Sequence, residues 1–92
     1  MSLIVQKFGG TSVANSKLIF NAAKKAIKDY KKGNNVIVVV SAQGDTTDKL
    51  IEKAKEINKN PSKRELDVLL SSGEQMSAAL MAMAFLGFSG LI

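Results

Sequence analysis

Apolar residues recur along this chain with two different periods, and each period predicts a different kind of element. The runs Leu3-Ile4-Val5 and Val36-Ile37-Val38-Val39-Val40 are typical of strands, and the second consists only of β-branched residues. Between them, apolar residues recur at helical spacing with lysines on the opposite side. The predicted elements are a strand at 3–7, a surface helix from Asn15 or Ser16 to Lys32, and a strand at 36–40 buried on both faces.

Three further helices follow in the pattern. Thr46 or Thr47 is expected to cap a helix that ends by Asn58 to Asn60, where Pro61 enforces the break. Ser62 and Glu65 have the spacing of a capping box. They predict a short helix that stops near Ser71-Ser72-Gly73, and a last helix then runs from Glu74 to Leu86. This last helix has almost no polar residue, so we expect it to be buried on all sides.

The order strand, helix, strand predicts a βαβ unit with a parallel sheet covered by helices. Two clear strands in 92 residues leave little material to surround an all-apolar helix. We therefore expect residues 1–92 to be the N-terminal portion of a larger α/β domain. The segment 88–92 continues with no further strand and no polar terminus.

Composition narrows the possible chemistry. Apolar residues make up 46% of the chain, which is enough for a core, and neither Cys nor His is present. Their absence excludes disulfides, Cys or His metal sites, and catalysis that uses a His-activated nucleophile. The remaining chemical groups are lysines, carboxylates, hydroxyls and backbone amides.

The charge permits two interpretations. A net charge of +5, from 13 basic and 8 acidic residues, is compatible with a small basic nucleic-acid-binding module. Most lysines, however, fall on the polar faces and ends of the first two predicted helices, where solvation explains them. The start of the chain lacks a secretion pattern, and the longest apolar stretch is shorter than the ~20 residues of a membrane span. A cytoplasmic protein without a membrane partner is expected.

Candidate chemistry lies in the segments that follow the strands. Lys7-Phe8-Gly9-Gly10-Thr11-Ser12 joins the first strand to the first helix. Glycines allow close backbone approach, a helix N-terminus favours anions, and a lysine suits phosphate. Gly-Gly also serves tight turns, and each hydroxyl could equally satisfy loop backbone. The second strand ends in Ser41-Ala42-Gln43-Gly44-Asp45-Thr46-Thr47-Asp48, for which the same two explanations exist.

Glu74 is the sharpest isolated candidate. At the start of the predicted last helix, its carboxylate would gain ~0.3–1 kcal/mol from the helix dipole, which is a sufficient structural reason for it. A carboxylate in that position could also bind the ammonium group of a substrate.

Three blocks together resemble a known family. Residues 7–13 and 38–48, and Leu69-Leu70-Ser71-Ser72-Gly73-Glu74-Gln75, look like the corresponding segments of the aspartokinases, which have the amino acid kinase fold. The resemblance implies a three-layer α/β/α arrangement of the carbamate kinase type, of which only the N-terminal portion is present. It also implies ATP-dependent phosphorylation of the L-aspartate side chain to 4-phospho-L-aspartate, for lysine, threonine and methionine synthesis.

The resemblance assigns roles to residues. Lys7, Phe8, Gly9, Gly10, Thr11 and Ser12 would bind the ATP phosphates, with Lys7 also catalytic. Ser41, Thr47 and Glu74 would bind aspartate, and Mg²⁺ would arrive with ATP rather than at a protein metal site. Gln43 stands where many members have another residue, often Met.

The resemblance also implies parts that these residues lack: a nucleotide base-binding half and regulatory domains. We therefore expect the 92 residues alone to be inactive, and to self-associate through the apolar helix near residues 76–86. Another amino acid kinase, acting on glutamate or N-acetylglutamate, is the alternative within the same fold.

Overall fold

The computed structural model describes residues 2–89. Its elements are strand β1 (Leu3–Phe8), a short 3-10 helix (Gly10–Val13), helix α1 (Ser16–Lys31), strand β2 (Asn35–Val40), helix α2 (Thr46–Ile57) and helix α3 (Lys63–Ser89). The last three residues of the 88–92 segment lie outside the described part. No helix within residues 2–89 is long and apolar enough to cross a membrane.

The two strands form the predicted parallel pair. Leu3 lies opposite Asn35 and Phe8 opposite Val40, so the strands are in register over their whole length. Because both run in the same direction, their carboxyl ends meet at one edge of the sheet. The βαβ prediction is confirmed.

Helix α1 begins and ends at the residues that the sequence indicated. The Asn15 side chain accepts a hydrogen bond from the backbone N–H of Leu18 at 3.0 Å, which caps the first turn. Gly33 has φ +93° and donates its N–H to the Tyr30 carbonyl, so it closes the C-terminus in a conformation that favours glycine.

Only one face of the sheet is covered within the described residues. Helices α1 and α3 pack on the face that carries Phe8, Val38 and Val40, around a core of Val13, Ile19, Ala22, Ala23, Met81 and Ala84. On the other face, Leu3 is 64% exposed and Val39 is 43% exposed. The prediction that β2 is buried on both faces is therefore wrong for residues 2–89, because no described element packs against that face.

Helix α3 is a second correction. The sequence predicted two helices with a break at Ser71-Ser72-Gly73, whereas one helix runs from Lys63 to Ser89. The serine hydroxyls donate to carbonyls one turn earlier, Ser71 to Val68 at 2.8 Å and Ser72 to Leu69 at 2.6 Å. These bonds satisfy the hydroxyls inside the helix, so the two serines do not end it.

The apolar half of α3 is buried on one side only. Met81 and Ala84 lie in the core, while Met76 is 55% exposed and Met83 is 62% exposed. The prediction of burial on all sides is thus wrong among the described residues. At ~1.5 Å per residue, the helix is roughly 40 Å long and dominates the 50 × 24 × 22 Å extents of the molecule.

Candidate functional site

Two loops meet at the carboxyl edge of the sheet. The first loop (residues 8–13) begins with the last residue of β1 and includes the 3-10 helix, and the second loop (residues 41–45) follows β2. Two backbone bonds join them: Ser41 N–H donates to the Phe8 carbonyl at 3.2 Å, and Gly44 N–H donates to the Gly10 carbonyl at 2.9 Å. The Gln43 side-chain amide adds a third bond, to the Val13 carbonyl at 2.9 Å. The loops therefore form one joined structure.

The two glycines of the first loop serve different purposes. A Cβ at Gly10 would lie 2.7 Å from the Ala42 carbonyl oxygen, so contact between the loops requires glycine there. A Cβ at Gly9 would meet nothing within 4 Å. Gly9 has φ −71° and ψ 173°, a backbone conformation open to any residue. Packing within the described residues thus explains Gly10 and does not explain Gly9.

The third sequence block reaches the same place through α3. A Cβ at Gly73 would lie 3.1 Å from the Ala42 Cβ and 3.2 Å from the Thr46 methyl carbon. Gly73 therefore allows α3 to approach the second loop and the start of α2. A tertiary contact accounts for this glycine, which the sequence had indicated as a helix end.

Glu74 lies next to this contact, but not at a helix terminus. It is exposed in the interior of α3, so the dipole explanation given for it from the sequence is wrong. No ion pair or hydrogen bond joins its carboxylate to another residue of the described range.

Lys7 and Phe8 point to opposite faces of the sheet. Lys7 is exposed on the uncovered face, with Leu3 and Val5, and its ammonium makes no ion pair or hydrogen bond within residues 2–89. The Phe8 side chain packs against the core. The Phe8 side chain has no charge or hydrogen-bonding group to offer a phosphate, whereas Lys7 offers its ammonium.

Four hydroxyls surround the joined loops. Thr11 and Ser12 are exposed in the 3-10 helix, while Ser41 and Thr47 are half-buried. None of these four hydroxyls donates to or accepts from another described residue. The alternative in which these hydroxyls satisfy the loop backbone is therefore not realised. The prediction that Thr46 or Thr47 caps α2 is wrong, because Asp45 takes the N-cap position and both threonines lie in the first turn.

Two features of the site were not predicted. The Gln43 bond to Val13 had no signal in the sequence, since an amide in a Gly-containing loop has many possible partners. The closeness of Gly73 to Ala42 was missed because Ser-Ser-Gly is typical of a helix end. Within the described residues, no group of three or more acidic side chains could hold a metal ion.

A separate groove of about 450 Å³ lies away from the loops, between α1, β2 and the end of α3. Its lining is Ala26, Ile27, Tyr30, Val36, Val38, Phe85 and Leu86. No charged residue lines it, so it does not share the chemistry of the loops.

A glycine loop, a second polar loop and a helix that meet at the carboxyl edge of a parallel sheet are typical of α/β proteins that bind phosphate-bearing ligands. Comparison with known families agrees with this class. The model of the Amino acid kinase family matches residues 2–90. Because the match covers nearly all of the sequence, the chain belongs to the amino acid kinase family.

Individual relatives are more specific. The chain is 57% identical over 84 residues to the aspartokinase of Geobacillus stearothermophilus, which covers 91% of this chain and 21% of the relative. It is 56% identical over 84 residues to aspartokinase 2 of Bacillus subtilis (strain 168), covering the same shares. The chain spans about a fifth of the length of these curated relatives.

A solved structure supports the fold. The crystal structure of aspartate kinase from Synechocystis superposes with a TM-score of 0.91 at 48% identity, covering 94% of this chain and 15% of that chain. The resemblance and the predicted fold class are thereby confirmed. The second helical layer of the three-layer arrangement is not among residues 2–89.

Proposed function

We propose that this chain contributes to the active site of an aspartate kinase. In that reaction an oxygen of the L-aspartate side-chain carboxylate attacks the γ-phosphorus of ATP, and the bond to the departing ADP oxygen breaks. The observation that carries the proposal is that three sequence blocks, distant along the chain, meet at Gly10, Ala42 and Gly73. The names of the relatives support aspartate as the acceptor. The product, 4-phospho-L-aspartate, would enter lysine, threonine and methionine synthesis in the cytoplasm.

The first loop is proposed to bind the phosphates. Gly9 leaves room for close backbone approach, and Thr11 and Ser12 present free hydroxyls beside it. Lys7 would neutralise charge on the transferring phosphoryl group, since positioning and electrostatics supply most of the catalysis in phosphoryl transfer. Mg²⁺ would arrive on the ATP phosphates, which are ligands that it prefers.

The second loop and α3 are proposed to bind the amino acid. Ser41 and Thr47 hold half-buried hydroxyls that have no partner in the described residues, and Glu74 holds an unpaired carboxylate. Glu74 would pair with the aspartate ammonium group. The bonds between the loops would then keep the phosphoryl donor and the acceptor in fixed relation.

We propose that the 92 residues alone do not turn over substrate. The support is that they span about a fifth of the length of their relatives, and that one sheet face remains open in residues 2–89. We further propose that the chain self-associates through α3, where Met76 and Met83 are exposed on one side of the helix. An assay of ATP- and aspartate-dependent ADP release would contradict the first proposal if it showed real turnover.

Phosphate binding can be tested on the chain itself with inorganic tripolyphosphate as the probe. Lys7→Met and Gly9→Ala should both weaken its binding, measured by calorimetry, by roughly tenfold or more, because they remove a charge and block backbone approach. Gly9→Ala should leave the midpoint of thermal unfolding unchanged, since its Cβ meets nothing.

The matched control is Lys53→Met on α2, a charge change outside both loops that should leave tripolyphosphate affinity unchanged. Equal losses from Lys7→Met and Lys53→Met would show that the anion binds to the general positive charge of the chain. Such a result would contradict the proposed phosphate loop.

A further inference from the structure

The C-terminal end of the first loop, at Val13, is held by a side-chain hydrogen bond from the second loop. Val13 is the last residue of the 3-10 helix and is fully buried. Carbonyls in the last turn of a helix lack partners within the helix and must find them elsewhere. The partner of the Val13 carbonyl is the Gln43 side-chain amide, at 2.9 Å across the junction between the loops.

This bond differs in kind from the other two between the loops. The bonds from Ser41 to Phe8 and from Gly44 to Gly10 use backbone atoms, so they survive a change of side chain. The bond to Val13 exists only because residue 43 carries a donor. The identity of this one side chain therefore decides whether the Val13 peptide group is held in place.

The two attachment points bracket the exposed hydroxyls. Thr11 and Ser12 lie between Gly10, which is bonded to Gly44, and Val13, which is bonded to Gln43. The buried Val13 side chain fixes where this segment sits, but burial alone does not fix the rotation of its peptide plane. A bond at each end limits how the segment between them can turn.

We propose that, in this chain, Gln43 is a positioning residue that holds the first loop in its anion-binding shape, through a hydrogen bond that the Met often found at this position in the family cannot make. The inference rests on the proposed function, because it assigns Gln43 a role in the same phosphate loop. Gln43 does not touch the phosphate itself. It acts through the Val13 carbonyl, and so connects the geometry of the first loop to that of the second.

The test uses the 92-residue chain and the variant Gln43→Met, which keeps the length of the side chain and removes the donor. Amide hydrogen exchange at residues 11–14 and tripolyphosphate affinity are measured together with thermal unfolding. Losing one hydrogen bond of this type corresponds to roughly a three- to tenfold change. We therefore expect exchange to become faster and affinity to become weaker by about that factor.

Gln6→Met is the matched control. The Gln6 amide also donates across elements, to the Asp29 carboxylate on α1, but it lies outside both loops. This variant should lower the midpoint of unfolding without changing exchange at 11–14 or tripolyphosphate affinity. A second variant, Gln43→Glu, is also of similar shape and has no donor at neutral pH, so it should reproduce the faster exchange.

Each outcome decides something. Unchanged exchange and unchanged affinity in Gln43→Met would overturn the inference. Faster exchange at 11–14 and weaker tripolyphosphate affinity in Gln6→Met would also overturn it. If Gln43→Met lowers thermal stability but leaves tripolyphosphate affinity unchanged, Gln43 has only a structural role and the inference is likewise overturned. If the unaltered chain fails to bind tripolyphosphate, the proposed phosphate site fails. Exchange at 11–14 then decides alone whether Gln43 positions the loop.

Discussion

The two faces of the sheet both carry aliphatic residues but have different environments. On one face Phe8, Val38 and Val40 pack against the core between α1 and α3. On the other, Val5 and Val39 are 61% and 43% exposed. Since valine occurs on both faces, the aliphatic side chains alone do not distinguish them. What packs against each face makes the difference.

Lys7 belongs to the open face, and this position bears on the proposed function. Strand alternation places it with Leu3 and Val5, whereas its neighbour Phe8 enters the core. An ammonium on the open side keeps its hydration and its freedom to meet an anion. Packing on the covered face holds the strand in place, while the Lys7 ammonium on the open face stays accessible to a ligand.

Two adjacent alanine substitutions in β2 measure how much the covering of one face contributes to stability. Val38→Ala and Val39→Ala are adjacent in β2, remove the same two methyl groups and carry the same loss of strand propensity. Val38→Ala should lower the free energy of unfolding by about 2 kcal/mol, because it removes packed volume. Val39→Ala should cost about half of that or less. Urea denaturation measures both, and equal costs would show that the open face is covered in solution.

A second prediction asks which exposed apolar surface associates. Met83→Lys on α3 and Val39→Lys on the open sheet face each add one charge to an exposed apolar position. If the chain self-associates through α3, Met83→Lys should weaken the association constant by roughly tenfold, because a charge would be buried at the contact. Val39→Lys should leave it unchanged. Sedimentation velocity over a range of concentrations distinguishes these cases, and the reverse order would move the contact to the sheet.

Two glycines of α3 should respond differently to alanine, by a smaller amount of free energy. Gly87→Ala adds a methyl group where nothing lies within 4 Å, and should stabilise the chain by about 0.5 kcal/mol through helix propensity. Gly73→Ala gains the same propensity, but its Cβ would press on Ala42 and Thr46. It should therefore give no net stabilisation. Thermal unfolding measures both, and an equal gain would show that the α3 contact with the second loop is loose.

Local signals predicted much of the fold. Asn15 and Gly33 end α1 through capping bonds between near neighbours, and these follow from residue type alone. The meeting of the two loops was also predictable, because parallel strands bring their carboxyl ends to one edge. Their role as a phosphate and substrate site stays a prediction.

Two of the wrong predictions share one physical cause. The Ser71-Ser72-Gly73 segment has the composition of a helix end, yet its hydroxyls are satisfied within α3 and its glycine serves a contact with Ala42. The exposure of β2 likewise depends on what lies beside it. The Gly73 contact and the exposure of β2 both depend on tertiary packing, which a local residue pattern does not show.

The continuity of α3 has a consequence for how such sequences can diverge. Glu74 stands on the same unbroken helix as Met81 and Ala84, which are fixed in the core. Substitutions along this helix leave their relative angle unchanged. Insertion or deletion of a single residue between Glu74 and Met81 would turn Glu74 by ~100° around the helix axis relative to the core residues. The number of residues in this segment is therefore under stricter constraint than their identity.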